Sequence, residues 1–262
     1  MKIGLLTSGG DCPGLNAVIR AAVLHGIKSY DHEFVGVKDG FRGLVEDAIV
    51  PLPRQKVRGL SKVGGTILGT SRTNPYEGGG PDRVREVMAR HGMDAIIAIG
   101  GEGTLTAARR LADEGINVVG VPKTIDNDLS ATDYTFGFDT ALTIATDAID
   151  RLHSTAESHQ RVMLVEVMGR HAGWIALNAG LASGAHMTLI PEQPFDVEEV
   201  CRLVKARFVR GDSHFICVVA EGAKPAEGTM QLRQGGMDEF GHEKFTGVAA
   251  QLAIEVEKRI KK

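Results

Sequence analysis

The sequence predicts an α/β protein built as two Rossmann-like domains, each a three-layer αβα stack around a mostly parallel sheet. Three observations carry this expectation. Short apolar runs alternate with helical periods from start to finish, the order that parallel sheets covered by helices on both faces require. The 33 glycines gather at the ends of the strand-like runs, as in a ligand-binding α/β protein, rather than in flexible low-complexity tracts. The stretch Leu129–Phe138 has little helical period. It opens a break just after Asp126-Asn127-Asp128 and divides the chain into domains at 1–137 and 138–262.

The elements follow in order. Lys2–Thr7 reads as a strand because its apolar stretch is short and runs straight into Ser8-Gly9-Gly10-Asp11, unlike a signal peptide. A helix is expected over Leu15–Ser29 and a strand over Phe34–Val37. Next come a helix over Asp82–His91, a strand over Asp94–Ile99, a helix over Thr104–Glu114 and a strand over Asn117–Val121. The second series starts with a helix over Asp139–Ser154 and a strand over Val162–Val167. It continues with a helix over Ala172–Leu181, a strand over Met187–Ile190, a helix over Val197–Val209 and a strand over His214–Ala220. Glu221–Gly241 is rich in glycine and charge and is expected at the surface. A basic helix over Thr246–Lys261 closes the chain without a stop signal, as though cut rather than finished. No internal repeat of solenoid length is present.

Composition narrows the function classes. The 262 residues are 43% hydrophobic and 24% charged, enough for a real core. A net charge of −3 argues against a nucleic-acid partner, so any anion site must be local. No apolar run approaches the ~20 residues of a membrane helix, so no membrane partner is expected. Cys12, Cys201 and Cys217 are odd in number, far apart and without zinc spacing, which points to reduced thiols and a cytoplasmic location.

Two stretches carry most of the chemistry. Gly100-Gly101-Glu102-Gly103-Thr104 follows one strand-like run, and Pro122-Lys123-Thr124-Ile125-Asp126-Asn127-Asp128 follows another. Both sit where open α/β sheets bind ligands. The first is a glycine-rich turn feeding a helix, whose backbone N–H groups can face a phosphate. Glu102 within it would repel phosphate unless Mg²⁺ intervenes; otherwise it is an acid satisfying the helix dipole. The second stretch holds two carboxylates which, in an extended segment, share a face and can divide proton and metal duties. Lys123 adds a point charge for phosphate. The bland alternative is an Asx-rich turn.

Ser8-Gly9-Gly10-Asp11-Cys12-Pro13-Gly14 is a second turn where backbone can approach a ligand, or a simple tight turn. It is not the spaced glycine fingerprint of dinucleotide sites, and no P-loop signature occurs anywhere. Arg72 ends the glycine-rich run Gly64–Arg72 and, combined with the other loops, is a candidate for phosphoryl-charge stabilisation. Arg161 precedes the strand Val162–Val167 and Arg170 follows it. Six extended residues span ~20 Å, so if both act, one serves a neighbouring subunit. Glu221, after the strand His214–Ala220, could accept hydrogen bonds from sugar hydroxyls.

Taken together these motifs resemble the 6-phosphofructokinase family over the whole chain. The matching segments are Gly9-Gly10-Asp11, the Gly-Thr-Ser-Arg loop ending at Arg72, Gly100–Thr104, Thr124–Asp128, Ser158–Arg161 and Glu166–Arg170. The resemblance implies the phosphofructokinase fold, Mg²⁺ as cofactor, and transfer of the γ-phosphoryl group of ATP to O1 of fructose 6-phosphate in glycolysis. By analogy Asp126 is the base, Thr124 and Asp128 shape the reacting end, and Arg72 and Arg170 stabilise charge. Gly10, Arg72, Thr73, Gly101, Glu102, Gly103 and Thr104 form the donor set, with Glu102 at the metal position where most relatives carry Asp. Thr124, Ile125, Asp126, Arg161, Met168, Gly169, Arg170 and Glu221 form the sugar-phosphate set, Arg161 reaching across a subunit interface of a homotetramer or dimer.

Gly103 goes with ATP and Lys123 is typical of pyrophosphate users, so the pair marks an ATP-dependent branch with mixed signatures. The pyrophosphate-dependent enzyme, or an inactive fragment of either, is the alternative. The family continues past such a terminal helix into a Gly-His-x-Gln-Arg-Gly-Gly segment that binds the sugar phosphate. Arg233-Gln234-Gly235-Gly236 is only superficially similar, so this chain is expected to bind fructose 6-phosphate poorly or to fold incompletely. Arg20 and Arg54 match the family's effector site, but Leu24 and His186 do not, which implies a weak or altered effector response.

Overall fold

The structure is a computed structural model describing residues 1–130, 132–232, 236 and 247–260. Arg233, Gln234 and Gly235, and the outermost residues of the expected terminal helix, lie outside the described residues. The chain divides into two compact units, Met1–Ile125 with Leu129–Phe138, and Asp126–Asp128 with Asp139–Lys262. The acidic triplet Asp126–Asp128 therefore belongs, by its contacts, to the second unit.

The first unit contains strands β1 (Lys2–Thr7), β2 (Glu33–Val37), β3 (Ile49–Pro51), β4 (Ala95–Gly100), β5 (Val118–Thr124) and β6 (Phe136–Gly137). Its helices are α1 (Leu15–Tyr30), α2 (Phe41–Glu46), α3 (Gly80–His91) and α4 (Glu102–Asp113). The strands lie in the order β3-β2-β1-β4-β5-β6, all parallel except the β2–β3 pair. Chain order reverses at β1, so the crevice beyond the C-terminal ends of β1 and β4 is the topological switch point where such sheets bind ligands. The register Thr7↔Ile99 ends both strands at one level and sets their two following turns side by side.

Alternation along β1 builds two cores. Ile3 and Leu5 join Leu15, Val18, Ile19 and Val23 of α1 on one face. Leu6 joins Val84, Val87 and Met88 of α3 and Ala107, Ala108 and Leu111 of α4 on the other. Helix α1 has no side-chain N-cap and starts after Gly14 at φ 95°, a backbone shape that favours glycine.

The second unit contains α5 (Phe138–Ser158), β7 (Val162–Val167), α6 (Trp174–Ala182), β8 (Met187–Leu189), α7 (Val197–Val209), β9 (Phe215–Ala220) and α8 (Val248–Ile260). Among the described residues its sheet is parallel in the order β7-β9-β8. Central β9 is buried along its whole length. Phe215, Cys217 and Val219 pack against Val200 and Val204 of α7 and Leu252 and Val256 of α8. Ile216, Val218 and Ala220 pack against Ile149 of α5 and Ala176 and Ala179 of α6. Each unit is thus a three-layer αβα stack.

Candidate active site

The residues expected to act lie in two groups, one in each unit. In the first unit, three segments converge on the ends of β1 and β4. Ser8 N–H donates to Ile99 O at 2.9 Å, carrying the β1 ladder one residue past the strand. The run 66–73 is laced onto this end. Thr7 Oγ1 donates to Gly69 O (2.7 Å), Ser8 Oγ and Gly9 N–H to Ser71 O (2.9 and 3.0 Å), and Thr70 Oγ1 to Gly9 O (2.5 Å). Ser71 Oγ in turn donates to Asp39 O at 2.6 Å and lies 3.1 Å from Thr73 Oγ1. Arg72 projects exposed from this fastened loop, with Thr73 half-buried beside it.

Helix α4 begins at Glu102, two residues before the expected Thr104. Gly101 is extended (φ −82°, ψ −164°), so Glu102, Gly103 and Thr104 form the first turn and bear backbone N–H groups with no intrahelical partner. Those donors, with the positive dipole end, make a backbone anion site. Glu102 is exposed at the first helical position. Gly103 is exposed too, and a Cβ built there meets no atom within 4 Å; the same holds at Gly10. Thr104 is buried, and its side chain fills the space a Cβ on Gly100 would need.

Strand β5 continues through Thr124, past the expected end at Val121, with Pro122 opposite Gly100 and Lys123 opposite Phe136. Lys123 and Thr124 are therefore strand residues, and Thr124 O accepts from Thr135 Oγ1 at 2.7 Å. Lys123 is only 4% exposed, and its Nζ donates to Gly10 O at 2.6 Å. Burial pushes this ammonium below its ordinary value, with Cys12 and Asp11 opposing.

In the second unit Asp126 is half-buried and Asp128 exposed. The residue between them, Asn127, has φ 51°, so the expected extended pair does not form. Asparagine tolerates this left-handed shape, and the chain turns there instead of running straight. The two carboxylates still feel one another. Burial first, then Asp128 and Glu221, push the Asp126 carboxyl up from the ordinary 3.8 to about 6, while Arg170 and His171 pull it down. This is the environment that keeps a carboxylate basic near neutral pH.

Met168, Gly169 and Arg170 follow β7, and Glu221 follows β9, the strand beside it. Glu221 N–H donates to Val167 O at 2.9 Å and Gly222 N–H to Gly169 O at 3.0 Å, clamping the two turns together. A Cβ on Gly222 would sit 2.0 Å from Arg170 O, so this close approach requires glycine. Arg161 is exposed before the first residue of β7, a strand length of ~20 Å from Met168.

Several supporting residues escaped the sequence reading. Buried Asn16 holds the run 63–67, donating to Val63 O and Gly64 O (3.1 Å each) and accepting from Ile67 N–H (2.9 Å). Its only signal was an amide on the apolar face of a helix. Thr7 read only as the end of a strand, and Ser8, Thr70 and Ser71 only as members of the two glycine-rich loops, with no sign of the hydrogen bonds that join them. Gly222 was legible only as a glycine after a strand. Leu24, expected to weaken an effector site, packs against the α1 core.

Comparison with known proteins gives the lineage. The family model described as Phosphofructokinase matches residues 2–262. An ATP-dependent 6-phosphofructokinase from Mycobacterium bovis is 69% identical over 265 residues, covering 100% of this chain and 77% of that protein. A pyrophosphate–fructose 6-phosphate 1-phosphotransferase from Streptomyces coelicolor is 60% identical over 261 residues, covering 99% of this chain and 76% of that one. Among solved structures, phosphofructokinase from Saccharomyces cerevisiae superposes with a TM-score of 0.77 at 35% identity, covering 86% of this chain and 34% of the yeast chain. On the family match over nearly every residue and on these identities, the chain belongs to the phosphofructokinase family.

Proposed function

We propose that this chain transfers the γ-phosphoryl group of ATP to O1 of fructose 6-phosphate, giving fructose 1,6-bisphosphate and ADP. The observation that carries the reading is the Asp126 carboxyl, half-buried and raised to about 6 among Asp128, Glu221, Arg170 and His171. A general base works best when its pKa lies near the operating pH. The region 1–137 supplies donor binding and 138–262 sugar-phosphate binding. Asp126 takes the proton of the C1 hydroxyl as O1 attacks the γ-phosphorus. The O1–P bond forms, the bond to the β,γ-bridging oxygen breaks, and ADP departs with that electron pair.

The first-turn amides at Glu102–Thr104 and the Gly9-Gly10 turn cradle the donor phosphates, while Arg72 and Arg170 stabilise the charge on the moving group. Thr124, Ile125 and Asp128 shape the reacting end, and Met168, Gly169, Arg170 and Glu221 hold the sugar phosphate. Mg²⁺ fits this donor set only as a partner of the nucleotide. Among the described residues no cluster of three or more His, Cys, Asp or Glu could hold a metal alone, but Glu102 is an exposed carboxylate beside a phosphate site. It would bind Mg²⁺ together with phosphate oxygens and water, and the ion would neutralise donor charge.

Open space at Gly103 supports a nucleotide donor, because no side chain intrudes on the first turn of α4. Arg161, exposed at the far end of β7, is assigned to a neighbouring copy's sugar phosphate in a homotetramer or dimer. The enzyme works in the cytoplasm, in glycolysis. Assay of the purified protein with fructose 6-phosphate and either Mg·ATP or Mg·pyrophosphate tests the donor. At least tenfold higher kcat/KM with ATP supports the reading; preference for pyrophosphate, or turnover with neither, overturns it.

A further inference from the structure

We infer that Lys123 is a positioning residue that ties the Gly9-Gly10 turn to the turn between β4 and α4, and that it does not select between phosphoryl donors. The inference rests on the donor site proposed above. Strand β4 lies between β1 and β5, so a residue near the end of β5 must reach past β4 to touch the turn that follows β1. Neighbouring strands stand ~4.8 Å apart, so β5 and β1 are separated by ~10 Å, and only a long side chain bridges that distance. Lys123 does so with its side chain, while its backbone lies against the turn that follows β4. Its carbonyl oxygen lies 3.5 Å from the Cβ position of Gly101, and its Nζ donates to Gly10 O at 2.6 Å. The same Nζ lies 3.8 Å from the Cβ position of Gly9, where Thr104 Oγ1 of α4 also approaches, at 3.9 Å.

At 4% exposure the ammonium is turned toward backbone rather than offered to solvent. Its carbonyl partner and the nearby Asp11 and Cys12 offset the burial of charge. A strut of this kind fixes the spacing of the Gly9-Gly10 turn and the first turn of α4, the two turns assigned above to the donor phosphates, which every polyphosphate donor needs equally. A lysine that chose between donors would instead face the position where nucleotide and pyrophosphate differ.

The test uses Lys123→Met, which keeps the stem and removes the donor, and Lys123→Gln, which keeps a shorter donor without charge. Two readouts are taken: dissociation constants for Mg·ATP and for inorganic pyrophosphate, and the alkylation rate of Cys12, located by peptide mass spectrometry. Cys12 is 3% exposed, its Sγ donates to Phe136 O at 3.3 Å, and it lies within the tied segment. The strut predicts that Lys123→Met weakens both ligands by the same factor, about tenfold, and speeds Cys12 alkylation at least tenfold. Lys123→Gln falls between it and the parent in both respects. Loss of one ligand with retention of the other overturns the inference. So does weakened binding with unchanged Cys12 reactivity, or failure of both variants to fold. The alkylation arm needs no turnover, so a protein that proves not to use ATP would sink the functional reading while leaving this result standing on its own.

Discussion

Replacing Asp126 with Asn has consequences of opposite sign for catalysis and for stability, and both follow from its surroundings. At about 6, against an ordinary 3.8, the carboxyl is ~90% ionised at pH 7 and only ~10% at pH 5. The parent protein should therefore show log kcat/KM rising with unit slope up to about pH 6 and levelling above it. Asp126→Asn, isosteric but unable to take a proton, should lose about 10²- to 10⁴-fold in kcat and lose the acidic limb.

Stability moves the other way. The folded-state value lies above the unfolded one, so the native protein holds its proton more readily. The ionised carboxylate then costs stability at pH values above about 6, and that cost disappears below about 4. A shift of ~2 units corresponds to at most ~3 kcal/mol. The side chain keeps some contact with water, which reduces this to about 1–2 kcal/mol. Asp126→Asn should accordingly be about 1–2 kcal/mol more stable than the parent at pH 7 and equal to it near pH 4, measured by urea unfolding at several pH values. A flat kcat/KM between pH 5 and 7, or a stability difference that grows as pH falls, would refute the argument.

Three further outcomes follow from particular residues. Gly103→Asp should fold normally, because its Cβ meets nothing within 4 Å, and gain about 0.3–1 kcal/mol as an acid in the first turn of α4. Its KM for ATP should nevertheless rise at least tenfold; thermal melting and steady-state kinetics check the two halves. Gly222→Ala should cost about 1–3 kcal/mol, because the new methyl collides with Arg170 O. It should also raise the KM for fructose 6-phosphate more than that for ATP, since the collision displaces the loop at Gly169-Arg170. His186 sits within 5.2–6.2 Å, centroid to centroid, of His214 and His153. Burial first, and then Arg207, His214 and His153, depress it to about 4 against Asp212. A base depressed in this way contributes stability that is present above 6.5 and is lost as pH falls toward 4. His186→Asn keeps an acceptor for Ile216 N–H, now taken by Nδ1 at 2.8 Å. It should shift the midpoint of acid unfolding to lower pH, followed by circular dichroism.

Long periodic elements were legible because burial alone dictates them. Val162–Val167 and Val197–Val209 carry the same bounds in the sequence and in the structure. Elements made by pairing rather than period were not. The short strands Ile49–Pro51 and Phe136–Gly137 exist because β2 and β5 offer edges for them. Pro122 hid the last part of β5, since a proline normally ends a strand reading. It is tolerated where one neighbour, β4, is ending and the other, β6, has yet to begin. Gly101-Glu102-Gly103 read as a turn because two glycines mask the helix start.

The catalytic candidates were legible as residue types at strand ends. Their electrostatics were not, because Asp126 is tuned by Glu221, Arg170 and His171, all remote in sequence. Lys123 showed the same limit. Its charge was visible in the sequence, but its carbonyl partner across β4 was not.

The account rests on Asp126 activating a sugar hydroxyl for attack on the outer phosphorus of ATP. The most direct measurement is ³¹P NMR of the purified protein with Mg·ATP and fructose 6-phosphate, run in parallel with Asp126→Asn. The account predicts equal amounts of ADP and a new phosphomonoester coupled to the C1 protons in the parent, and both formed about 10²- to 10⁴-fold more slowly in a variant that still binds Mg·ATP. Phosphate released to water without the sugar ester, or ester formed by Asp126→Asn at the parent rate, would contradict it.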